Sequence, residues 1–176
     1  MTEKPDKIIK RIIKAVGQRQ SVLVIGQWNE ELIKGIRENQ NSLTQAEDTL
    51  SKFPFEDNSA TRIIADYSSP IFDNNQPFFN EVRKLLLPTG MIIISANCEK
   101  GIFEKLMNRF NRNSIKEEEY VRKIKPKILQ DQIHDNGFLI DGYYGYPEGH
   151  LLMMAQIHNK EVTTLFSSNR QETVVK

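Results

Sequence analysis

The sequence is poor in the residues that build sites by themselves. It has a single cysteine, Cys98, so an internal disulfide is excluded, as is a zinc or iron–sulfur centre made from the chain's own thiolates. The histidines, His134, His150 and His158, are spread along the C-terminal third without ligand spacing. Charge of one sign is lacking too: 24 Lys and Arg against 23 Asp and Glu leave a formal charge of +1, which gives no bulk attraction to nucleic acid or to an anionic membrane. Long hydrophobic runs are absent. Stretches such as 91–94 are far too short to span a bilayer, and the charged N-terminus has no apolar core or cleavage site of a secretory signal. A cytoplasmic location is the expectation, with the nucleus not excluded.

What is present is an ordinary globular composition, 39% hydrophobic and 27% charged, in 176 residues, which is enough for one domain. Ile8, Ile9, Ile12, Ile13 and Val16 fall on one helical face, with Lys7, Lys10, Arg11 and Lys14 opposite; a solvated basic face over a packed stripe is the expected reading. The run SVLVIG (21–26) reads as a fully buried parallel strand ending at a glycine. A helix is expected over 30–37, a weak strand around Leu43 and Thr44, and a turn-rich loop over 53–59. Further along come a strand at 62–66, a loop at 68–77, a helix at 79–87 stopped by the Pro88–Gly90 turn, and the strongest strand at 91–95. Helices are expected over 101–110, 116–123 and 126–135, the last ending at Asn136 and Gly137. A hairpin, 138–144 and 150–157, closes the domain. The domain is thus expected to cover 1–158, with 159–176 a polar, mobile tail. Alternation of this kind argues an α/β fold: a mainly parallel twisted sheet, helices on both faces and a C-terminal antiparallel hairpin.

The stretch VLVIGQWNE (22–30) resembles the first strand and turn of class I S-adenosylmethionine-dependent methyltransferases. Three more stretches agree in order. FPFEDNS (53–59) is similar to the family's LPFPDNSFD loop, EVRKLLLPTGM (81–91) to its EIRRVLKPGG turn, and DNGF (135–138) to its EAGF turn. The resemblance covers residues 7–158 and implies a Rossmann-like methyltransferase fold. It also implies cofactor-binding positions at Gly26, Gln27, Glu47 and Asp66, should S-adenosylmethionine be bound at all. The family's first strand carries an acid and then glycines that let the backbone pass close to the cofactor. Here the acid position is Val24, and the second and third glycine positions are Trp28 and Glu30. An indole where a hydrogen fits fills the space of the methionine part, and a carboxylate repels the cofactor's own. The bland reading of Trp28 is an aromatic packed over the sheet edge, and it too removes the site.

Between Gly26 and Pro54 the chain is shorter than the family pattern by about one helix, and Glu47 or Asp48 is what remains to stand for the ribose-binding acid. The compressed stretch LTQAEDTLSKFPF (43–55) is similar to the N-terminal domain of the anamorsin family of cytosolic iron–sulfur assembly factors, which lacks the glycine motif and the same helix. The tail 157–171 loosely resembles the exit from that domain. That family's cluster-binding cysteines lie in a C-terminal region with no counterpart here, so the resemblance implies either the isolated N-terminal domain or a relative that never had the rest, which by itself carries neither cluster nor electrons.

Little other chemistry is on offer. Asp66 and Tyr67 follow a strand at the carboxyl edge of the sheet, where their bland role is loop anchoring. Cys98 is expected as a half-buried bystander, His134 as a helix C-terminal residue favourable to the dipole, and His150 as exposed. Tyr143, Tyr144 and Tyr146 cannot all point inward, because strand side chains alternate, so a surface patch for another protein is expected there. The mixed-sign stretch 116–127 reads as a solvated helix, not a nucleic-acid surface. The function so implied is non-catalytic protein binding, with no cofactor, nucleic acid or membrane. The rival is an active methyltransferase with a divergent cofactor loop.

Overall fold

A computed structural model describes residues 6–46, 56–73, 75–98, 123–146 and 149–158. In chain order the elements are α1 (Asp6–Val16), β1 (Ser21–Ile25), α2 (Glu30–Glu38), β2 (Ser42–Ala46) and β3 (Ala60–Asp66). A 3-10 turn (Pro70–Asp73) and α3 (Asn75–Leu85) lead to β4 (Leu86–Cys98) and the short β5 (Lys123–Ile124). α4 (Pro126–Asp135), β6 (Phe138–Gly145) and β7 (His150–Ile157) complete the domain.

The strands form one sheet in the order β2-β1-β3-β4-β7-β6. β1 is parallel to both β2 and β3, and β3 to β4; β7 then runs antiparallel to β4, and β6 to β7. β7 occupies one edge of β4 as far as Asn97, so β5, which also pairs with Asn97, lies on the β3 side beyond the end of that strand. The expected parallel sheet with a terminal hairpin is what the chain builds.

Alternation along the central strands sorts the core into two layers. Leu23, Ile25, Ile63, Ala65, Ile92 and Ile94 face α3, α4 and the 3-10 turn, where Phe72, Phe78, Phe79 and Phe138 pack ring against ring. Val22, Val24, Ile64, Ile93 and Leu152 face α1 and α2, meeting Ile8, Ile9, Ile12, Leu32 and Ile36. Both faces of the sheet are therefore covered, which is why β1 and the middle of β4 read as unbroken apolar runs.

The shortening is visible in the sheet. β2 is its outer strand among the described residues, and only residues 47–59 separate β2 from β3. Thirteen residues span at most about 45 Å when extended, enough to return across the sheet but not to add a helix and a further strand on the way.

Some boundaries differ from expectation. α3 begins at Asn75 inside the expected loop and stops at Leu85; Leu86 already pairs with Ala60, so the Pro88–Gly90 turn is an irregularity within β4. Gly90 is required there by close approach, since a Cβ would lie 2.9 Å from the Leu87 carbonyl oxygen and 3.2 Å from that of Ala60. Lys123, expected at a helix end, lies in β5. The expected helix over 101–110, the rest of 116–123, Glu47, Asp48, the loop 53–55 and the tail 159–176 lie outside the described residues. No helix among the described residues is long and apolar enough to cross a membrane.

Candidate functional site

The sheet has one place where the direction of winding reverses. From β1 the chain crosses through α2 on the α1 face to reach β2, whereas β3 reaches β4 through α3 on the opposite face. The carboxyl ends of β1 and β3 therefore border the crevice at which such folds bind ligands. Ile25 pairs with Ala65, so the next residues, Gly26 and Asp66, stand on adjacent strand ends. Ile25 also pairs with Ala46, and the Gly26 N–H donates to the Ala46 carbonyl oxygen at 3.0 Å, which ties the turn to β2. Two of the residues implied by resemblance are thus brought together, with Gln27 exposed beside them. Glu47 follows Ala46 in sequence but lies outside the described residues.

The turn itself is built for structure. Gly26 has φ of 89°, a left-handed value that favours glycine. Val24, at the position of the family's acid, is fully buried between the sheet and the α1–α2 layer. Trp28 is only 8% exposed and belongs to that same layer, with its indole N–H donating to the Ile25 carbonyl oxygen at 3.0 Å. The indole is a core residue tucked against its own strand, deeper than the expected position over the sheet edge. Asn29 caps α2: its side-chain oxygen accepts from the Leu32 N–H at 3.1 Å. Glu30 and Glu31 fill the exposed first turn. At the helix end that could face an anionic group, one N–H is taken by the Asn29 side chain and the first turn carries two carboxylates.

Asp66 and Tyr67 serve as anchors. The Asp66 carboxylate accepts from the Ser68 N–H at 3.1 Å and its carbonyl oxygen from the Ser69 N–H at 3.0 Å, closing the loop after β3. Tyr67 is buried against Phe72, and its hydroxyl donates to Gln132 on α4 at 3.1 Å. Cys98 is half-buried at the end of β4, and burial raises its thiol above the ordinary value, opposite to what a nucleophile requires. His134 is exposed in the last turn of α4, as expected, while His150 is half-buried and engaged, a departure from the expected exposure. Among the described residues no group of His, Cys, Asp or Glu is arranged to hold a metal ion.

The hairpin tyrosines do not form one surface. Tyr143 lies opposite Met153, on the α3–α4 face, and is 62% exposed; Tyr144 lies opposite Leu152, on the α1 face, and is 36% exposed. The Arg11 guanidinium sits 4.1 Å from the Tyr144 ring centroid, and Tyr146 packs against the α1-side layer. Tyr144 and Tyr146 therefore share a face that Tyr143 does not. The Asn29 cap and the Tyr67–Gln132 tie escaped the sequence reading. A cap could have been found from asparagine just ahead of an amphipathic run, whereas the tie joins residues 65 apart and had no local signal.

No family model and no curated protein matches the sequence. The fold does have counterparts among solved structures. The 1,6-didemethyltoxoflavin-N1-methyltransferase of Burkholderia thailandensis superposes with a TM-score of 0.64 at 14% identity, covering 87% of this chain and 78% of that one. The geranyl diphosphate C-methyltransferase of Streptomyces coelicolor gives 0.61 at 9%, covering 86% and 80%. An S-adenosylmethionine-dependent methyltransferase from Aquifex aeolicus gives 0.58 at 13%, covering 88% and 94%. The chain has the class I methyltransferase fold. The positions at which the sequence departs from the acid-and-glycine pattern that the resemblance implies are Val24 for the acid and Trp28 and Glu30 for the glycines.

Proposed function

We propose that this methyltransferase-like domain is non-catalytic and works by binding another protein. The observation that carries the reading is the β1–α2 turn. Its glycine positions hold a buried indole and a helix-start carboxylate, and its helix N-terminus is capped from within by Asn29. These residues do not fit the amino-acid end of S-adenosylmethionine. A carboxylate brought to this turn meets Glu30 and Glu31 where it would need open N–H groups, and several missing contacts outweigh the roughly 1–2 kcal/mol of one neutral hydrogen bond. No cofactor is expected, and no step of chemistry is assigned to Asp66, Tyr67 or Cys98.

The compressed β2–β3 connection extends the reading toward the anamorsin type of iron–sulfur assembly domain, in a cytoplasmic setting. With Cys98 as the single thiol, such a role consists of contact with a partner and not of holding a cluster. Exposed tyrosine at the hairpin supports protein contact, with neither nucleic acid nor membrane as the partner.

The rival, an active S-adenosylmethionine-dependent methyltransferase, is favoured by the left-handed Gly26 beside Asp66 at the crevice, and Gly26, Gln27, Glu47 and Asp66 would then hold the cofactor. A thermal-shift titration with S-adenosylmethionine and S-adenosylhomocysteine decides between them. A micromolar site would add about 2.7 kcal/mol at about a hundredfold excess, whereas the proposed reading expects an unchanged melting temperature at millimolar ligand.

A further inference from the structure

The basic face of α1 is arranged at a local cost. Lys7, Lys10, Arg11 and Lys14 lie within an arc of about 100° on the helix surface, and Lys7, Lys10 and Lys14 are exposed. Each is three or four residues from another cation, as in the pairs Lys7–Arg11 and Lys10–Lys14, a spacing at which like charges destabilise a helix. The other helices each form an ion pair at that spacing: Lys34 with Glu38 at 3.8 Å, Lys84 with Glu81 at 2.8 Å and Lys127 with Asp131 at 2.6 Å. In α1, Asp6 stands four residues before Lys10, whereas Lys7, Arg11 and Lys14 have no acid three or four residues away within the helix. Its four cations are concentrated on one ridge of a chain whose net charge is only +1.

The α1-facing side of β6 carries two exposed apolar side chains, Leu139 and Tyr144, with Asp141 and the bulge at Gly142 between them in sequence. Phe138 and Ile140 point to the α3–α4 layer, so Leu139 between them points to the α1 face, as does Tyr144 opposite Leu152. Leu139 is 45% exposed, and Arg11 over the Tyr144 ring joins the Tyr144 end of the strand to the ridge. β6 is also the outer strand of the sheet. A ridge of cations that meets Tyr144, on a sheet face that also exposes Leu139, complements an acidic segment with an apolar stripe. A nucleic-acid backbone would engage the cations and leave Leu139 without a counterpart.

We infer that the α1 ridge and the α1-facing side of β6 form a docking surface for an acidic amphipathic segment of a partner protein. The inference rests on the protein-binding reading above and gives it a partner class. Tyr143, on the other face, has no part in it.

The test is fluorescence anisotropy of the full chain with a labelled peptide of about 18 residues, leucine at helical spacing and glutamate or aspartate elsewhere. Replacing Lys7, Lys10, Arg11 and Lys14 together by glutamine should weaken binding about tenfold with little change in melting temperature, since glutamine keeps helix propensity and relief of like-charge repulsion offsets the loss of Arg11 over the Tyr144 ring. Leu139→Ser should weaken it several-fold, Tyr143→Ser should leave it unchanged, and about 0.5 M salt should weaken the wild type. Should the fourfold variant fail to fold, Lys7→Gln with Lys10→Gln, both at exposed positions, carries the same test. Absence of peptide binding, or binding indifferent to these cations, would overturn the inference. So would sedimentation with phosphatidylserine-containing vesicles that is lost in the same variants, which would make the surface a membrane contact. Thermal shift with S-adenosylmethionine on the same preparation separates the two readings. No peptide binding and no shift removes this inference alone; a shift removes the non-catalytic reading whatever the peptide does.

Discussion

At the scale of single residues, burial and close approach decide what the side chains can do. Gly90 sits where the β4 irregularity brings three groups against its Cα, with the Leu86 side chain 2.8 Å from the position of a Cβ and the Leu87 carbonyl oxygen 2.9 Å from it. Gly90→Ala is expected to cost about 1–3 kcal/mol, read as a lower denaturant midpoint at unchanged slope. Cys98 supplies a second residue-scale test. Burial favours its neutral thiol, so at any pH below its raised value less thiolate is present than in a free cysteine. Alkylation of the native protein at about pH 8 should be several-fold slower than that of an unstructured thiol peptide, converge with it as the pH rises, and accelerate on unfolding. A native rate above the peptide's would mean a thiolate stabilised by some neighbour.

At the scale of elements, the start of α2 is the informative place. Asn29 accepts from Leu32 and thereby fixes where the helix begins beside the crevice. Asn29→Ala is expected to destabilise the protein by about 1 kcal/mol, measured by chemical denaturation. If it instead left stability unchanged, the helix N-terminus would be open and available, against the account given of this turn.

Elements are also where the sequence was most legible. β1 and β7 show as apolar runs because both of their faces are buried, and α4 was bounded at both ends because Pro126 starts it and Asn136–Gly137 stops it. The β4 irregularity was hidden because Pro88 and Gly90 signal a turn whether or not Leu86 goes on to pair with Ala60. Alternation alone separates Tyr143 from Tyr144, but the face each takes was hidden by a bulge: the register slips between Ile140 and Gly142, so counting alternate positions from Phe138 gives the wrong face for both. At the crevice, Gly26 and Asp66 could be placed from strand ends alone. The depth at which Trp28 packs depends on α1 and α2 together and had no signal in its neighbours.

At the scale of the whole molecule, the sheet order, the two-faced core and the counterparts among methyltransferase structures establish the scaffold, and a scaffold of this kind serves many functions. At the winding reversal lies the β1–α2 turn on which the proposed function rests: Trp28 packs into the α1–α2 layer, Asn29 caps the helix, and Glu30 and Glu31 occupy the helix's first turn. The most direct measurement is calorimetric titration of the intact protein with S-adenosylmethionine. The account predicts only heat of dilution up to millimolar ligand. A saturable isotherm with micromolar affinity would contradict it and return the domain to the enzymes whose fold it shares.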